Sequence, residues 1–465
     1  MERGNEITDT RCSEEGQEGT NLPAPVIPLH KIGIAQLVQL EACTRCGECL
    51  RWCPVYDQDS RENILPRQKI LDFLSIVKGQ RSILVSLIQN QRIPATIRKL
   101  IQSLFRVSQI TEADIQRFIP NLYECSTCGQ CHVVCPAKID TVELWESIRE
   151  LMVAAGYGPL PAQKILAKSV MSYDNPWQQP RQARTKWARR AKKEKLIPDL
   201  PREIKKTGSK ILLFLGCTAA YNLNIRQIAI DTVNIMEILG IDYGCLGENE
   251  KCCGSVLLRM GDPEYERIAS DNIKLLNSLG IDKLVTSCAG CFKTIKQDYP
   301  KIGKLHFEVL HTVEFLHRLV QEGKLKFKAP VERVVTYHDP CHLGRACGVY
   351  DAPRAVMKSI PGLELVEMPR HGSYSRCCGA GGGVKAGFPD LQNKMAQARI
   401  REAEGTGAEE LVSACPFCYA GLQVGIGALN SSLVMRDVTH LVIASLSHEE
   451  QTPRLALREK QDDHQ

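Results

Sequence analysis

The chain holds 465 residues, 43% of them apolar, which is enough to fill roughly two or three cores and too much for a small disulfide-stapled scaffold. Its 59 basic and 53 acidic side chains leave a net charge of +6, too small an excess to make nucleic-acid binding an expectation. The amino terminus lacks an apolar h-region, and no later stretch approaches the roughly eighteen consecutive apolar residues of a membrane span. A cytoplasmic location is therefore read, and in that reducing compartment 21 cysteines point to metal ligation or redox chemistry rather than disulfides.

Residues 1–30 are polar and rich in Gly, Glu and Pro, with Cys12 isolated among them, and are expected to form a disordered lead-in. Residues 31–173 carry one ligand string twice: Cys43, Cys46, Cys49 and Cys53 before Pro54, then Cys125, Cys128, Cys131 and Cys135 before Pro136. Each reads CxxCxxCxxxCP. The 71 residues between Cys53 and Cys125 show helical periodicity at 65–77 and 97–105, so this part is predicted to be helical. At 174–206 comes a basic stretch punctuated by Pro176, Pro180, Pro198 and Pro201, with Arg181, Arg184, Lys186, Arg189, Arg190, Lys192, Lys193 and Lys195. It reads as an interdomain linker whose charges form a solvated helix face or dock on a partner or on anionic lipid headgroups.

The remainder is an internal duplication, 207–325 and 326–450, closed by a polar tail at 451–465. Cys217, the pair Cys252 and Cys253, then Cys288 and Cys291 recur as Cys341, the pair Cys377 and Cys378, then Cys415 and Cys418. Cys341 lies 124 residues after Cys217, and Cys418 lies 127 after Cys291, so the copies stay in step. Apolar runs at 210–215 and 333–337 suit buried strands, and helical segments follow at 225–239 and 353–360. After each double cysteine come a second helical stretch, 264–279 or 390–404, and a short strand, 283–286 or 410–413, running into CxxC. Strands alternating with helices predict α/β layers with mostly parallel pairing.

The paired CxxCxxCxxxCP strings match the bacterial two-cluster ferredoxin run, in which the fourth cysteine serves the other cluster. One [4Fe-4S] cube is thus expected on Cys43, Cys46, Cys49 and Cys135, the other on Cys125, Cys128, Cys131 and Cys53. Zinc ribbons instead separate two CxxC pairs by some fifteen to twenty residues. Five cysteines per half exceed the needs of one cube or one zinc, and adjacent cysteines suit a cluster with separated iron positions. Gly254, and Gly379, Gly381, Gly382 and Gly383 in the second half, are expected to bring backbone N–H groups against the sulfides. A phosphate loop is disfavoured because no Lys-Ser or Lys-Thr follows these glycines, and without a dinucleotide fingerprint the chain is expected to carry no flavin or NAD of its own. The expected fold class is α+β: a helical two-cluster ferredoxin-type domain, then two tandem α/β domains.

The paired strings and the two Cys-Cys-Gly halves, with His338-Asp339-Pro340-Cys341-His342 and Cys377-Cys378-Gly379-Ala380-Gly381-Gly382-Gly383 in the second, resemble the D subunit of heterodisulfide reductase. They are similar also to the cytoplasmic iron–sulfur subunits of quinone-linked membrane redox complexes of sulfate reducers. The resemblance spans about residues 35–445 and marks the halves as CCG domains. It implies a noncubane [4Fe-4S] cluster on each five-cysteine set, where a disulfide is bound and split. It implies electrons from a membrane quinol or cytochrome b partner, a place on the inner face of the membrane through that partner, and a small-molecule or protein disulfide as substrate. The alternative is an electron-transfer subunit beside a flavin-dependent hydroxy-acid or glycerol-3-phosphate dehydrogenase. Cys12, Cys245 and Cys347 fall outside every set, and the latter two read as small core hydrophobes. His338 and His342 flank Cys341 and either protonate a departing thiolate or orient the backbone.

Overall fold

The computed structural model describes residues 27–81, 87, 90, 92–105 and 110–446, so Cys12 and the polar tail lie outside the described residues. Ile27 and Leu29, inside the stretch read as a lead-in, are buried in the amino-terminal core. That core is helical, as periodicity predicts. Helices Ile34–Glu41, Pro66–Arg81, Glu112–Tyr123 and Thr141–Ala154 bury Leu40, Ile70, Phe73, Phe118, Leu122, Trp145 and Ile148 against one another. Thr111 starts the third of these with a capping box: its Oγ1 accepts from Asp114 N at 3.3 Å, and Asp114 Oδ2 accepts from Thr111 N at 2.9 Å. No helix among the described residues is long and apolar enough to cross a membrane.

Each later half is built on a parallel sheet. Strands β1 (Ile211–Leu213), β2 (Lys283–Thr286) and β3 (Glu308–His311) pair in that order. In the second half β4 (Arg333–His338), β5 (Leu363–Leu365), β6 (Glu410–Ser413) and β7 (Val434–Asp437) take the order β5-β4-β6-β7. Thus β1, β2 and β3 correspond to β4, β6 and β7. The edge held by β5 is filled in the first half by the chain at Gly244, whose N–H donates to Ile211 O at 3.0 Å and whose carbonyl accepts from Leu213 N at 2.9 Å. Leu212, Leu284, Val285, Val335, Leu411 and Val412 are fully buried because helices cover both faces, the environment in which parallel pairing persists.

The stretch 174–206 is not a free linker. Its helix Lys186–Lys193 turns Trp187, Ala188 and Ala191 into the first half's core, while Arg190 and Lys192 pair outside with Glu194 and Asp199. The positive charges dominate the sequence signal, but the three apolar positions share one helical face and decide the packing. Cys245 is likewise a core residue, and Cys347 is partly buried beside that core.

Candidate redox centres at the carboxyl ends of the strands

Parallel strands place their connecting loops on one side, and ligands gather outside the carboxyl ends. Here β1 runs into Cys217, β2 into Cys288, β4 into Cys341 and β6 into Cys415. Each CxxC straddles a helix start: Cys288 precedes Ala289–Lys293 and Cys415 precedes Pro416–Leu429, with Cys291 and Cys418 three residues on and therefore on the same face. The double cysteines complete two matching arrangements. Cys253 Sγ lies 3.5 Å from Cys291 Sγ, and Cys378 Sγ lies 3.5 Å from Cys418 Sγ. Gly254 and Gly379, both at φ +79°, donate their N–H groups to Cys252 Sγ and Cys377 Sγ at 3.4 Å. All ten cysteines line a single cavity of about 320 Å³, shared by both halves and walled by Leu166, Trp177, Val256 and Phe417. Cys288 of the first half and Cys415 of the second line this cavity together.

Gly381, Gly382 and Gly383 line the cysteine cavity and also meet the amino-terminal part. A Cβ on Gly382, at φ +63°, would lie 2.5 Å from Cys125 O, one on Gly381 would lie 3.0 Å from Ser126 O, and one on Gly383 would meet the Gln163 amide at 2.6 Å. These glycines let the second half close against the amino-terminal part, while Gly254, Gly379 and Thr127 donate backbone N–H groups to cysteine sulfur.

In that part Cys43, Cys46, Cys49 and Cys135 line one small cavity together with Cys131, and Cys53, Cys125, Cys128 and Cys131 line a second. The fourth cysteine of each string therefore faces the other string's triplet. The second cavity adjoins the second half: Ser126 Oγ lies 3.5 Å from Cys377 Sγ, and Cys53, Cys128, Cys341 and Cys377 share an apolar cluster with Met395. Burial pushes the Cys53 thiol up to about 12, so such a site ionises only with a cation present. Clustered thiolate donors, apolar walls and backbone N–H groups on sulfur fit iron–sulfur groups.

Residues outside the cysteine strings support this arrangement. Arg149, fully buried, donates to Leu122 O and Cys125 O at 2.7 Å, to Gly382 O at 2.9 Å and to Arg259 O at 2.5 Å, so it ties three segments together. Arg345 donates to Cys128 O at 2.7 Å and to Ser375 O at 2.6 Å. Arg184, from the supposed linker, donates to Cys217 Sγ at 3.2 Å and to Glu250 Oε1 at 2.6 Å. Charge runs give no hint of it, because its partners lie 33 and 66 residues away. His342 lines the shared cavity with its Nε2 unpartnered, and burial pulls its pKa down to about 3, so it stands neutral at neutral pH. His338 accepts from Arg399 Nε at 3.2 Å through Nδ1 and sits among Cys378 and Cys418. Lys385 lines the same cavity over the Phe417 ring, 5.8 Å from its centroid.

Comparison with known proteins agrees with this geometry. Residues 211–296 and 335–423 match the cysteine-rich domain family called CCG, and residues 39–139 match a 4Fe-4S dicluster domain. The chain is 39% identical over 429 residues to the D subunit of dihydromethanophenazine:CoB–CoM heterodisulfide reductase from Methanosarcina barkeri, covering 91% of this chain and 98% of that one. The Methanosarcina mazei counterpart is 38% identical with the same coverage. EtfAB:quinone oxidoreductase of Syntrophomonas wolfei is 28% identical, with 86% of this chain covering 57% of that protein. Two CCG halves behind a dicluster domain, matched end to end with such relatives, make this chain a member of the iron–sulfur oxidoreductase family formed by the D subunits of heterodisulfide reductases.

Proposed function

We propose that the chain passes electrons from a membrane quinol or cytochrome b partner through two cubane clusters to two noncubane clusters, and so reduces a disulfide on the cytoplasmic side. Cys43, Cys46, Cys49 and Cys135 would hold one cube, and Cys53, Cys125, Cys128 and Cys131 the other. Cys217, Cys252, Cys253, Cys288 and Cys291 would hold one noncubane cluster, and Cys341, Cys377, Cys378, Cys415 and Cys418 the second. Bound clusters would supply the two electrons that, with two protons, turn a disulfide into two thiols.

The observation that carries the reading is the common cavity: both five-cysteine sets face one chamber of about 320 Å³. Its residues divide the remaining work. Leu166, Trp177, Val256 and Phe417 keep water from the sulfurs, and the neutral His342 imidazole offers its free Nε2 at the wall. The contact between Ser126 and Cys377 gives electrons from the amino-terminal part a short way into the second half.

A second reading, a conduit beside a flavoprotein, draws on the similarity to EtfAB:quinone oxidoreductase. One experiment separates them. Anaerobically reconstituted protein should hold on the order of sixteen irons and as many acid-labile sulfides per chain, and a candidate disulfide should alter an EPR signal that is lost in Cys377→Ser. About eight irons, with spectra indifferent to disulfides and to that substitution, would remove the disulfide site and leave the conduit.

A further inference from the structure

Arg184 belongs to neither ligand string. Its side chain is 3% exposed, its Nη2 is 3.2 Å from Cys217 Sγ, and its guanidinium lies 5.1 Å from the Tyr221 ring centroid. Glu250, 2% exposed, fixes it: Oε1 accepts from Arg184 at 2.6 Å and from Gly216 N at 2.9 Å, while Oε2 accepts from Leu215 N at 3.0 Å. The carboxylate thereby clamps both the guanidinium and the backbone just ahead of Cys217. The second half is built differently. Arg345, its nearby guanidinium, gives Nε and Nη1 to Cys128 O, Gln130 Oε1, Ser373 O and Ser375 O, all oxygens rather than sulfur.

A centre that gains an electron gains negative charge, and a charged donor fixed on its sulfur favours that state, the more so where water is excluded. Resting on the reading of Cys217 as a cluster ligand, we propose that Arg184 is a positioning residue that raises the reduction potential of the first-half centre. Electrons entering beside Cys377 are then drawn toward the first half through the cavity that both five-cysteine sets line.

The test is an anaerobic, EPR-monitored redox titration of the full-length reconstituted chain as wild type, Arg184→Lys, and Arg184→Gln combined with Glu250→Gln. The double variant leaves no buried carboxylate without its cation. One midpoint should fall in the double variant, shifting that centre at least tenfold toward its oxidised form, about 59 mV for one electron. The lysine variant should fall between, and iron and sulfide content should not change. Unmoved midpoints at full iron content would overturn the proposal. So would loss of about four irons, since Arg184 would then only hold the site together. Wild-type protein with about eight irons would instead remove the parent reading, and this inference with it.

Discussion

At the scale of single residues the interior depends on cations that no ligand pattern announces. Arg149 is fully buried, and its hydrogen bonds go to carbonyl oxygens of Leu122, Cys125, Arg259 and Gly382. Replacing it by Met leaves those oxygens without donors, and each buried polar group so stranded costs about 1–3 kcal/mol. Arg149→Met is therefore expected to lose at least about 3 kcal/mol and to lower the temperature at which the cluster absorbance bleaches. Arg318, paired with Glu308 at 2.6 Å on the surface and 43% exposed, is the matched control, and its Met variant should cost under about 1 kcal/mol. Equal bleaching temperatures for the two variants would show that the carbonyls recruit other donors.

At the scale of elements the sequence is readable wherever the determining contacts are local. The spacing within CxxC places Cys288 and Cys291 one helical turn apart, and the alternation of apolar runs with helical periods marks β1, β2, β4 and β6 within about a residue or two. The edge strands β3, β5 and β7 are three or four residues long and carry too few apolar side chains to be distinguished from loops. Nor does the run Gly381-Gly382-Gly383 disclose whether it faces a sulfide or another domain, because its neighbours Cys125 and Ser126 lie more than 250 residues away in sequence. Gly382→Ala tests whether close packing between the domains is what requires a glycine there. The new Cβ would combine left-handed backbone strain of about 1–2 kcal/mol with overpacking against Cys125 O. Gly240, at φ +62° with nothing within 4 Å of a Cβ, isolates the strain alone. Chemical denaturation should thus find Gly382→Ala less stable than Gly240→Ala by at least about 1 kcal/mol. Equal stabilities would mean that the interface yields without cost.

At the scale of the whole molecule the two parts hold themselves together in different ways. The duplicated halves and the helix Lys186–Lys193 share one extended apolar core, whereas the amino-terminal part has a smaller one and leaves its first cysteines on irregular chain, with Cys46 exposed and Arg45 at φ +60°. A segment of that kind gains its order from whatever the thiolates grip, so binding and folding are linked there. Oxidising the chain and removing iron with a chelator should therefore loosen the regions around residues 42–64 and 124–140 first, while the parallel sheets persist. Limited proteolysis of the stripped protein should cut within those regions and leave a resistant fragment that begins near residue 141 and contains both parallel sheets. Circular dichroism should lose part of the helical signal over the same interval. Initial cleavage within the halves, or an unchanged digestion pattern, would place the cluster dependence of folding elsewhere, because a core as large as theirs is expected to outlast the loss of its metal.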